Sequence, residues 1–81
     1  MRLEINLLVV KDKQTIDIIN RIMTMRENSL AIMKIKRDNL GVFVKDDKEY
    51  LFYSRGFETL DIIVDYFLDN KLLKMVQDDK H

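Results

Sequence analysis

Asp61, Asp65 and Asp69 recur every four residues, which on a helix makes one acidic edge with Ile62 and Tyr66 beside it. Such an edge attracts a basic partner and repels a phosphate backbone. A second set has the opposite character: Lys34, Lys36, Lys45 and Lys48 interleave with Phe43, Tyr50 and Phe52. Lysines among aromatics neutralise phosphates and stack bases when they share an exposed face, and they only rim a core when the aromatics are buried. Asp46-Asp47 and Asp78-Asp79 are adjacent carboxylates without the spacing of a calcium loop, and solvated charge is the expectation for both.

The rest of the composition removes chemistry. The chain has no Cys, so disulfides, thiolate catalysis and cysteine-based metal sites are excluded. Its single histidine, His81, is the last of 81 residues, so no histidine triad or multi-histidine metal site can form within one chain. Gly41 and Gly56 are too few for a phosphate-cradling loop. The expectation is a non-enzymatic chain with no cofactor and no metal. Fourteen basic residues balance fourteen acidic ones, yet residues 1–37 hold eight basic against four acidic, and residues 38–81 hold six against ten. The net of +4 and −4 predicts an electrically two-sided molecule.

The elements that would position these residues follow from hydrophobic periodicity. Residues 2–10 alternate and then turn continuously apolar, which predicts a strand; Leu7-Leu8-Val9-Val10 is too short to span a bilayer, and no signal peptide precedes it. A cytoplasmic chain without membrane association is expected. Ile16, Ile19, Ile22 and Met23 predict a helix over residues 15–27, capped by Asp12 or Thr15. From Ser29 the period becomes two. Turn residues Asp38-Asn39 and Asp46-Asp47 then separate three alternating runs, predicting a three-stranded antiparallel meander. Leu60, Ile63, Val64 and Phe67 predict a second helix over residues 57–68, ending near Asp69-Asn70. The fold class expected is α+β, in the order β-α-β-β-β-α, with residues 1–76 as one domain and 77–81 as a polar tail. Residues 72–76 either extend the last helix or fold back on the core.

Residues 57–67, Phe-Glu-Thr-Leu-Asp-Ile-Ile-Val-Asp-Tyr-Phe, resemble the second helix of Src-homology-two domains, whose pattern is Phe-x-(Ser/Thr)-Leu-x-x-Leu-Val-x-(His/Tyr)-Tyr. The helix, meander, helix order over residues 15–68 is similar to that family's central αβββα unit. The resemblance implies a sheet between two helices, with Phe43, Tyr50 and Phe52 in the core, and phosphopeptide recognition. The family's Phe-Leu-Val-Arg strand is missing here. Lys34, Lys36 or Arg37 would have to replace its arginine, and lysine lacks the bidentate fork.

Three readings of function result. The first is a binding module or inhibitor acting on another protein through Asp61, Ile62, Asp65, Tyr66 and Asp69, with self-association into a homodimer through the same surface as a further outcome. The second is single-stranded nucleic-acid binding by a sheet face carrying Lys34, Lys36, Phe43, Lys45, Lys48, Tyr50 and Phe52. The third is phosphopeptide recognition of the Src-homology-two kind.

Overall fold

The computed structural model describes residues 2–77. Of the polar tail, residues 78–81, Asp78-Asp79 among them, lie outside the described residues. Strand β1 (Arg2–Ile5) leads through a loop into helix α1 (Lys13–Leu40); a 3-10 segment (Gly41–Asp46) turns the chain into helix α2 (Lys48–Asp69), and strand β2 (Leu73–Val76) follows. The two helices form an antiparallel hairpin. Its open end is closed by β1 and β2, which pair antiparallel with Arg2 opposite Val76 and Ile5 opposite Leu73.

The three-stranded meander is not there. Residues 29–40, read as its first strand and turn, are the second half of α1; residues 41–46 are the 3-10 segment; residues 48–54 are the first two turns of α2. The described sheet has two strands and the molecule is mostly helical. With the meander goes the αβββα order, although residues 57–67 are helical.

The physical reason is a competing period. Along α1 the inward positions are Ile19, Ile22, Arg26, Ser29, Met33, Lys36 and Leu40, and along α2 they are Tyr50, Tyr53, Phe57, Leu60, Val64 and Phe67. Spacings of three and four alternate in both, as in a coiled-coil seam. Arg26, Ser29 and Lys36 break the apolar count on α1 and leave Ala31, Met33 and Ile35 looking like strand alternation. No Pro or Gly interrupts residues 13–40, and the helix formers Leu, Ala, Met, Lys and Arg make up half of residues 27–40, so the helix continues.

Each terminus has a local cause. Asp12 caps α1, its carboxylate accepting from the Thr15 backbone N–H at 2.8 Å and from Thr15 Oγ1 at 2.9 Å. Gly41 ends α1 at φ 56°, a left-handed conformation that glycine adopts without strain, and its N–H donates to the Arg37 carbonyl. Asp38-Asn39 lies too early to be the turn. Asp47 caps α2 through the Tyr50 N–H at 2.8 Å. At the other end Asn70 caps the last turn, its Nδ2 donating to the Tyr66 carbonyl at 2.8 Å. Lys71 then takes φ 65° and turns the chain back into β2.

The core sits at the sheet end. Val10, Ile19, Val64 and Leu73 are buried together, with Ile5, Ile16, Ile22, Phe67 and Leu68 packed around them. Asn6 locks the strands to the helices: its N–H donates to the Leu72 carbonyl at 2.9 Å and its Nδ2 to the Lys71 carbonyl at 2.9 Å. β1 is shorter than the strand expected over residues 2–10, and Leu7, Leu8 and Val9 stand exposed in the loop after it.

Candidate functional site

Two charged contacts cross the hairpin between α1 and the start and middle of α2. Arg26 reaches across the seam to Asp61, with Nη2 at 2.8 Å from Oδ1 and Nε donating to the same oxygen at 2.9 Å. Its guanidinium also lies 5.1 Å from the Phe57 ring centroid. Near the turn, Lys36 Nζ lies 3.2 Å from Asp47 Oδ2 and 3.8 Å from Glu49 Oε1. The basic and acidic parts of the chain thus meet as facing helices. Asp47, expected as a turn residue, joins the cap of α2 to this pair.

Of the residues expected to bind a protein, Ile62 is 69% and Tyr66 61% exposed. Asp65 and Asp69 are exposed, and Asp61 is half-buried in its pairing with Arg26. The lysine and aromatic set does not share a face. Lys34 and Lys36 are on α1, Phe43 and Lys45 on the 3-10 segment, and Lys48, Tyr50 and Phe52 on α2. Lys36 and Tyr50 turn into the seam, whereas Phe43 and Phe52 are exposed; the sheet that was to align them does not exist. Arg37 is exposed in the last turn of α1.

What the fold does assemble is a stripe on the side of α2 that faces away from α1. Lys48, Phe52, Arg55, Thr59, Ile62 and Tyr66 follow at spacings of four and three, so they line one side of the helix. Phe52 is 70% exposed. Around it Lys48, Leu51, Phe52, Arg55, Gly56 and Thr59 line a shallow groove of about 440 Å³, with Gly56 as its notch. A Cβ placed on Gly56 would meet no atom within 4 Å. Reading residues 48–54 as a strand separated Lys48 and Phe52 from Arg55 and Thr59, and the four-three spacing running on from Lys48 is the signal that joins them.

The two capping carboxylates are held in their ionised form by the groups that donate to them. The N–H of Tyr50, and secondarily Lys36, holds Asp47 below the usual carboxylate range; the backbone and hydroxyl of Thr15 do the same for Asp12. Both shifts belong to helix caps. Among the described residues no three His, Asp or Glu side chains gather where they could hold a metal ion, and no helix is long and apolar enough to cross a membrane. Comparison with protein-family models, with curated proteins and with solved structures gives no match.

Proposed function

We propose that the chain is a protein-binding module whose contact surface is the outward side of α2. The observation that carries this reading is the exposure of Phe52, Ile62 and Tyr66 in one stripe of a helix whose opposite side is already packed against α1. Large apolar side chains left in water in a row, rimmed by charge, are the usual composition of an interface. An aromatic over a notch supplies an anchor of the kind that dominates binding energy. Thus the acidic residues expected to lead the surface become its rim, and the apolar stripe becomes its centre.

Nuclease-treated affinity capture with the full chain, compared with its Phe52→Ser/Ile62→Ser variant, tests this. The expected result is a stoichiometric protein retained by the wild type and lost from the variant, with the helical circular dichroism of the two unchanged. Identical capture by both chains, or loss of all bound material on nuclease treatment, counts against the reading.

A further inference from the structure

We infer that the occupant of this surface is a second copy of the chain, with α2 packed antiparallel on α2 about a two-fold axis beside Thr59; the inference rests on the interaction surface proposed above. The charges of α2 are the first argument. Lys48 is its first residue and Arg55 lies in its N-terminal half, while Asp65 and Asp69 lie toward its C-terminus, with no basic residue in the last turn. Asp47 and Glu49 suit the N-terminal end of the helix dipole, but Lys48 at that end and Asp69 at the other are each placed against it. Lys48, Arg55, Asp65 and Asp69 are exposed, and none makes an ion pair among the described residues. An antiparallel copy reverses the order. Lys48 and Arg55 then lie near the second copy's Asp69 and Asp65, and Lys48 and Asp69 each come to the favourable end of the neighbouring dipole.

Shape follows the same symmetry. Phe52 and Tyr66 stand seven residues either side of Thr59, so a two-fold axis there sets Phe52 of one copy against Tyr66 of the other. The centre is small: Gly56 has no side chain, and Thr59 Oγ1 donates to the Arg55 carbonyl at 3.3 Å, which satisfies its hydroxyl within the helix. Large residues flank small ones as knobs flank holes. The accessible surface points the same way. It is 6475 Å² for a 9.7 kDa chain, against about 5,100 Å² for a compact monomer of that mass. The excess exceeds the roughly 800 Å² that each partner buries in a standard interface.

Sedimentation equilibrium of the full chain, loaded from about 10 to about 500 µM to cover a weak interface, reads the mass directly. The expected result is a rise from 9.7 kDa toward twice that value in the wild type, and a constant monomer mass for Phe52→Glu/Ile62→Glu with unchanged circular dichroism. Because the chain has no Cys, single cysteines and a short bismaleimide linker read the register. Thr59→Cys is expected to cross-link to itself, and Lys48→Cys to Asp69→Cys but not to itself. A wild type that stays monomeric, a dimer that survives Phe52→Glu/Ile62→Glu, or self-linking Lys48→Cys overturns the antiparallel pair. If the wild type is monomeric yet captures another protein through Phe52 and Ile62, self-pairing alone fails. If capture is also insensitive to those residues, the proposed surface fails with it.

Discussion

Asp12 and Asp47 each carry one helix start, and their chemistry fixes how the protein responds to acid. Both carboxylates are stabilised in the ionised form by the N–H groups they accept from, so their folded pKa lies below the ordinary value of 3.8. A carboxyl depressed in this way contributes stability that is complete above its unfolded pKa and is lost as pH falls through the folded one. Thermal midpoints should therefore drop from about pH 5 downward, as the caps protonate. The Asp12→Asn/Asp47→Asn variant keeps an acceptor at each cap and should show a shallower decline. A slope identical to that of the wild type would assign the acid sensitivity to other carboxylates. Arg26 works differently, through a partly exposed ion pair to Asp61 and the face of Phe57. Arg26→Ala should cost about 1 kcal/mol in denaturant titration, since solvent weakens the ion pair. A cost no larger than that of Asp61→Asn would mean that the Phe57 contact adds nothing.

At the scale of elements, Gly56 stands in the middle of α2, where glycine weakens a helix and nothing occupies the space its Cβ would take. Gly56→Ala is expected to stabilise the monomer by about 1 kcal/mol, raising the melting midpoint by roughly 4–8 °C in calorimetry at low concentration. An unchanged midpoint would show that α2 is not helical through residue 56 in solution. The same residue explains part of what the sequence hides. Gly56 looks like a break before a helix, and Asp47 looks like a turn, so the N-terminal turns of α2 are read as a strand. A cap at Asp12 or Thr15, the helix end near Asp69-Asn70 and the helical stripe of residues 57–67 were legible, because local hydrogen bonding and an unbroken apolar period decide them. The second half of α1 was not. Its seam positions are Ser29, Met33 and Lys36, and a polar residue in a seam is favourable only when a partner helix supplies Asp47 and Glu49, which no local window contains. For the site, Ile62 and Tyr66 were readable as an excess of apolar arc; Phe52 and the groove beneath it were not, since their place depends on residues 48–56 being helical.

The whole molecule is thin, 45 × 34 × 19 Å in extent, with a radius of gyration of 15.2 Å, against about 12 Å for a compact domain of this length. Its main buried cluster joins both helices and the returning strand, because Ile19, Val64 and Leu73 meet there. Residues near the turn are far from that cluster and are held by Met33 and the Lys36–Asp47 pair. Whether the hairpin unfolds as one unit is therefore decided by how far the loss of a core side chain is felt. Leu73 is 2% exposed and comes from the element that crosses back over the open end. Leu73→Ala should cost about 2–5 kcal/mol, a large part of the stability of so small a domain. Continuous helices crossing the whole length argue for one cooperative transition. Native-state amide exchange then has a definite outcome: protection at Val64, beside the cavity, and at Met33, far along α1, should fall by the same factor, at least about 30-fold. Loss at Val64 with Met33 unchanged would mean that the sheet end opens by itself and that the two helices hold together without it.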